Sequence, residues 1–226
     1  MNEFETYIKD EFNDNEVNVF FKKIINNFSE ESFSFYSEWG EFPFLGKEKQ
    51  VNSVLIPAIH NYTKNIFLEL PFKSKLGNQR FLDIVTTKDN NIFLIELKHS
   101  YQSKNDCTTK RTDREWETAI NQIADLKKSV VKQHYNYKKY NVYKIALLIM
   151  PTFLPSNKKH DILKLSAKEY ANKIFHEYEE GYKSKYQANM VGVIKIDKFN
   201  DYVHEYSDGN QVYPFISFVT RIERVE

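Results

Sequence analysis

The stretch from Asn65 to His99 limits what this chain can fold into more than any other part of it. Three short segments, NIFLELPF, RFLDIVTT and NIFLIELKH, are rich in Phe, Ile, Leu and Val and are separated by polar residues of the kind that turns prefer. They read as a strand meander. Thr112, with Glu115 three residues later, then opens a capping-box pattern. The helix it starts carries Trp116, Ile120, Ile123, Leu126 or Lys127, and Val130 at helical spacing. Beyond it, VYKIALLIMPTF is a continuous apolar run ended by Pro151, as expected of a strand buried on both faces.

Before the meander, KEKQVNSVLIPAIHNYTK follows Gly46 with Val51, Leu55, Ile59 and Tyr62 on one stripe, which predicts a helix that Pro57 kinks or divides. Glu48 lies in its first turn. Further back, Val17, Phe20, Phe21, Ile24, Ile25 and Phe28 mark one face of a helix ending near Glu38. Acids outnumber bases from Met1 to Glu48, so residues 1–45 are expected to form an acidic helical elaboration, packed as an accessory element and suited to a regulatory or homodimerisation arm. After the apolar run, a helix from about Asp161 to Tyr182 is expected on a stripe of Leu163, Ala167, Tyr170, Ile174 and Tyr178. The strands MVGVIKI and PFISFVTRI follow. A chain of 226 residues with this order is expected to be one α/β domain, with its core at about 47–153 and residues 154–226 adding a C-terminal helix and strands.

Cys107 is the only cysteine, which excludes an internal disulfide framework and a Cys-based zinc site. The acidic N-terminus lacks the apolar core of a signal peptide, and no apolar run approaches the roughly 18 residues of a membrane span. A soluble cytoplasmic chain with no membrane partner is expected. The net charge of +1 is not the strongly basic balance of an obvious nucleic-acid binder. Its distribution is uneven: Lys127, Lys128, Lys132, Lys138, Lys139, Lys158, Lys159, Lys164 and Lys168 cluster in the C-terminal half, either as a basic face for phosphates or as solvated helix surfaces.

Chemistry concentrates in the hairpin formed by RFLDIVTT and NIFLIELKH. If Asp89 and Asn90 are its two turn residues, Asp83 falls directly opposite Glu96. Side chains alternate along a strand, so Glu96, Lys98 and the partner of Glu96 share a face, whereas His99 points to the other. A register error of one residue would separate them. Two opposed carboxylates repel, and each interrupts an apolar segment where an unpaired charge is costly. A hard divalent cation compensates best, because Mg²⁺ takes carboxylate oxygens while keeping waters and room for a phosphate. Lys98 beside it could orient or deprotonate a metal-bound water, or hold the phosphate.

Asp83 followed by Glu96-Leu97-Lys98 on the next strand resembles the core signature of the PD-(D/E)XK nuclease superfamily, and the order of elements from Lys47 to Phe153 is similar to its αβββαβ core. Leu82 stands where the named proline of that signature would be. The resemblance implies a restriction-endonuclease-like fold and Mg²⁺-dependent hydrolysis of nucleic acid, DNA before RNA, with Mn²⁺ able to substitute. It implies that Asp83, Glu96 and the Leu97 carbonyl ligate the metal and that Lys98 is the catalytic lysine. Glu48 matches the family's additional glutamate on the helix before the sheet, with Glu38, Glu41 and Glu69 as competing acids, and Gln122 matches the glutamine often found on the helix after the ExK strand. The polar loop after the catalytic strand carries Lys104, Lys110, Arg111 and Arg114, and reads either as a segment that closes over a substrate backbone or as an ordinary mobile surface loop. A non-catalytic nucleic-acid-binding or assembly module, or an RNase, are the alternatives.

Overall fold

The computed structural model describes residues 4–74, 76–102, 108–126, 140–157, 159–207 and 209–225. In chain order these form β1 (Phe4–Asp10), α1 (Asn15–Trp39), α2 (Glu48–Tyr62), β2 (Asn65–Lys73), β3 (Gln79–Lys88), β4 (Asn91–His99) and α3 (Lys110–Ala124). The second half supplies β5 (Asn141–Pro155), α4 (Ala167–Glu180), β6 (Met190–Ile196), β7 (His204–Tyr206) and β8 (Gly209–Arg224). The strands make one open, mixed eight-stranded sheet in the order β1-β6-β8-β5-β4-β3-β2, with β7 paired to β8. Only β4 and β5 run parallel among these pairs, because α3 carries the chain between them, whereas the remaining neighbours are antiparallel.

Helices cover both faces, so the molecule has an α/β class with three layers. Val17, Phe20, Phe21, Ile24, Ile25 and Phe28 of α1 and Val51, Leu55 and Ile59 of α2 pack on one face against Phe93, Ile95, Leu97 and Ile145. Trp116, Ile120 and Ile123 of α3 and Tyr170, Ile174 and Tyr178 of α4 pack on the other, against Ile92, Leu94, Ala146 and Leu148. The strands in the middle are buried on both sides, which explains why β4 and β5 read as apolar runs rather than as alternating ones.

The N-terminal region differs from its expected role. Residues Phe4 to Asp10 form a strand along β6, and α1 supplies the interior of one layer, with Val17, Phe20 and Phe28 at 0–1% exposure. An acidic composition concealed this because the acids lie on the outer face of α1 while its apolar stripe lies inward. This segment is therefore core, not an outlying arm, and the ground for expecting a dimerisation arm is removed.

Other boundaries also move for identifiable reasons. Pro57 does not divide α2: Ser53, whose carbonyl loses its usual helical donor, is exposed and can bond to water. α4 starts at Ala167 instead of Asp161, because Ser166 and Glu169 form a reciprocal capping box, and Asp161–Lys164 is a separate 3-10 turn. β5 runs on through Pro151, whose carbonyl accepts from Gln102 N–H on the side where β4 has already ended, so the missing proline donor breaks no ladder bond. Val130, Lys127, Lys128, Lys132, Lys138, Lys139 and Lys158 lie outside the described residues. Among the described residues no helix is long and apolar enough to cross a membrane.

Candidate active site

The β3–β4 turn sets the register as the sequence suggests. Lys88 faces Asn91 and Ile84 faces Ile95, so Asp89 and Asn90 are the two turn residues, with Asp89 in the left-handed region at φ 52°. One step further the same register would set Asp83 across from Glu96, but the ladder stops at the Ile84–Ile95 pair. Two independent signs mark the break. Leu82 packs with the α3 side of the sheet while Ile84, two residues away, packs with the α1 side. On the neighbouring strand Glu69, which lies between the pairs Leu68↔Ile84 and Leu70↔Leu82, adopts φ 53°, a left-handed conformation uncommon outside glycine. Both strands thus switch faces at the Glu69–Asp83 position.

The break releases the backbone of Leu97. Continued pairing would join Leu97 to Leu82; instead the Leu97 N–H donates to Asp83 Oδ2 at 2.7 Å, and the Leu97 carbonyl accepts from Lys98 Nζ at 2.7 Å. Lys98 Nζ also donates to Glu96 Oε1 at 2.7 Å and lies 3.9 Å from Asp83 Oδ2. The three oxygens named as metal ligands on the strength of the resemblance therefore converge on a single ammonium group. Glu96 is only 1% exposed, and its Oε2 has no hydrogen-bond partner among the described residues.

Electrostatics follow from this crowding. Burial, reinforced by the Asp83 charge and opposed by Lys98, raises the Glu96 carboxyl to about 7. Asp83 is also raised, by burial, against the pull of Lys98 and the Leu97 N–H. Burial would lower Lys98, but Glu96, Asp83 and Glu48 together outweigh it and raise the ammonium above its usual range. Glu48 is likewise raised by burial and feels both Lys98 and Asp83. Three carboxyls thus face one ammonium in a poorly solvated site, an imbalance that favours binding additional positive charge.

Of the competing acids, Glu48 and Glu69 come into electrostatic range of Asp83, whereas Glu38 and Glu41 are exposed at the end of α1 and beyond it. Glu69 is itself exposed, at the rim. Gln122 is half-buried on α3, on the same helical face as Glu115. Lys110 and Arg111 are exposed in the first turn of α3 and Arg114 in the next, and Arg111 lines a cleft of about 450 Å³ with Glu48, His99, Tyr101 and Glu115. Lys104 and Cys107 lie outside the described residues. The basic C-terminal half does not extend this site where it is described: Lys164 pairs with Asp161, and Lys168 lies over the Tyr7 ring.

Sequence reasoning missed Asn52, which lines a second cleft of about 320 Å³ with Ile56, Glu69 and Asp83, and whose Oδ1 is buried without a partner. Its position four residues after Glu48, on the same helical face, was the available signal. Among the described residues no group of three or more His, Cys, Asp or Glu side chains is gathered in a form ready to hold a metal ion. The donor set does suit a hard cation nonetheless, since it joins the Asp83 and Glu96 carboxylates, the latter with one buried oxygen unpartnered among the described residues, to a carbonyl freed from its ladder. Fold and site define an α/β protein with a buried carboxylate–lysine cluster at a break in its sheet. No protein-family model, no curated protein and no solved structure matches this chain.

Proposed function

We propose that this chain is a Mg²⁺-dependent nuclease of the restriction-endonuclease-like kind, hydrolysing phosphodiester bonds in nucleic acid, with DNA favoured over RNA. The observation that carries the reading is the convergence of Glu96 Oε1, the Leu97 carbonyl and Asp83 Oδ2 on Lys98 Nζ. The order α2-β2-β3-β4-α3-β5 supports it, because it matches the αβββαβ core that the sequence resembles. So does the rim, where Lys110 and Arg111 lie at the start of α3 and Arg114 follows in its second turn, exposed cations that could meet a polyanion. The preference for DNA rests on the family resemblance.

In this reading Asp83, Glu96 and the Leu97 carbonyl hold the cation, with Glu48 beside them. Bound Mg²⁺ would neutralise charge on the phosphoryl oxygens and lower the pKa of a coordinated water. The carboxylates around Lys98 favour its ammonium form, which suits it to hold the scissile phosphate or stabilise its developing charge; with a cation on those carboxylates it could also orient or deprotonate a water. Arg111, on the edge of the cleft, would position the substrate backbone.

The test is cleavage of DNA and RNA of matched sequence, single- and double-stranded, with Mg²⁺, with Mn²⁺ and with chelator. Metal-dependent cutting of DNA that is lost in Asp83→Ala supports the proposal. Cutting of RNA alone would redirect it to a ribonuclease. Intact substrates together with no metal binding by calorimetry would leave a non-catalytic binding module and end the enzymatic reading.

A further inference from the structure

α2 differs from the other helices in how it starts. Asp14, Thr109 and Ser166 cap α1, α3 and α4 by accepting backbone N–H groups at their N-termini. α2 has Lys47 at that position, a side chain with no acceptor, and only Gln50 Oε1 reaches back to the Lys47 N–H. Its first turn is therefore weakly specified by local sequence, although that turn carries Glu48. The missing definition is supplied from across the molecule. His99 Nε2 lies 3.1 Å from the Phe44 carbonyl, and because a carbonyl oxygen only accepts, this nitrogen serves as the N–H donor. The Tyr101 hydroxyl shares its single proton between the Leu45 carbonyl at 2.7 Å and the Gly46 carbonyl at 3.0 Å. The two rings meet edge to face with centroids 5.0 Å apart. Gly46 in turn lies so close to Gln50 that a Cβ there would fall 2.9 Å from the Gln50 side chain, which leaves the held turn little room to shift.

We propose that His99 and Tyr101 are positioning residues, which grip the Phe44–Gly46 turn by three consecutive carbonyls and thereby set where α2 begins and where the Glu48 carboxyl stands relative to Lys98. Strand parity makes this economical in chain: Glu96 and Lys98 project into the site, while the residues directly after them hold the opposite wall. The inference rests on the proposed metal site for its functional consequence but not for its structural one, and two measurements separate them. In Tyr101→Phe, which keeps the ring and removes the hydroxyl, hydrogen exchange at the amides of residues 47–51 should quicken roughly fivefold or more, while α4 amides stay unchanged. Mn²⁺ affinity, read by calorimetry, should fall several-fold in Tyr101→Phe and fall no further when Tyr101→Phe is added to Glu48→Gln. His99→Gln, which retains an N–H donor, should perturb both readouts less than His99→Leu. Unchanged exchange in Tyr101→Phe overturns the proposal, and so does an affinity loss that adds fully to that of Glu48→Gln. If the wild-type chain binds no Mn²⁺, the metal reading fails, and the exchange measurement alone decides whether the two side chains place α2.

Discussion

Glu96 combines 1% exposure, an unpartnered carboxylate oxygen and an ion pair with the adjacent Lys98. Folded, it keeps its proton up to about 7, against an ordinary value of 4.5. Between these two pH values the folded chain holds more protons than the unfolded one, so this group's contribution makes stability fall as pH rises through that window and leaves it flat on either side. The loss is on the order of 3 kcal/mol if the whole difference is expressed. Urea denaturation at pH 5 and pH 8 in chelator should therefore show Glu96→Gln gaining stability relative to wild type at the higher pH; parallel pH dependence in the two proteins would contradict this. Lys98 supplies a second expectation at the same scale. Its ammonium occupies the point to which the three oxygens are directed, so Lys98→Ala should bind Mn²⁺ at least as tightly as wild type while cleavage falls by about a hundredfold or more. A drop in affinity of about tenfold or greater would show that Lys98 supports the metal site and does not compete for it.

At the scale of elements, the site exists because β3 and β4 part company at Asp83. Turn chemistry at Asp89 and Asn90 was legible, and so was the alternation that puts Glu96 and Lys98 on one face. The break was not, because nothing in RFLDIVTT marks it: Leu82 and Ile84 look like successive members of one stripe, yet they pack on opposite faces. Its clearest local trace is Glu69 at φ 53°, a conformation that costs about 1 kcal/mol or more for a residue with a Cβ. Glu69→Gly should accordingly stabilise the fold by about 1 kcal/mol relative to Glu69→Gln, which removes the same charge without relieving the backbone. Equal midpoints for the two variants in chemical denaturation would show that the strain is absorbed elsewhere. Helix starts were not legible to the residue: Thr109, not Thr112, caps α3, and Ser166, not Asp161, opens α4, while at α2 no side chain accepts the first N–H groups and the turn before the helix is held by residues about fifty positions away.

For the whole molecule, the layer built from α1 and α2 decides whether the sheet has an interior. Phe20 stacks on Phe93 with centroids 4.0 Å apart, and Phe28 meets Phe218 edge to face, so α1 reaches the central strands directly. β1 covers one side of β6, which would otherwise become an open edge. A chain starting at Gly46 should therefore fail to fold, despite retaining every residue of the candidate site. Near-ultraviolet circular dichroism and thermal melting would check this, and a cooperative transition in the truncated chain would return the N-terminal region to the status of an accessory. The same packing explains why acidic composition misled: net charge reports the outer face of an amphipathic helix and says nothing of what the inner face covers.

The sequence by itself determined what short-range physics can determine: the strands of the meander, the two-residue turn at Asp89 and Asn90, and with it the β3–β4 register as far as the Ile84–Ile95 pair. Alternation and turn preference act over a few residues and need no knowledge of distant parts. Only the tertiary structure decided that β3 leaves the ladder at Asp83, that the Leu97 carbonyl is thereby freed toward Lys98, and that Glu48 is delivered by a helix held from His99 and Tyr101. These features arise from competition between ladder bonds and packing in two layers of helices, and such a competition is settled by contacts between residues far apart in the chain.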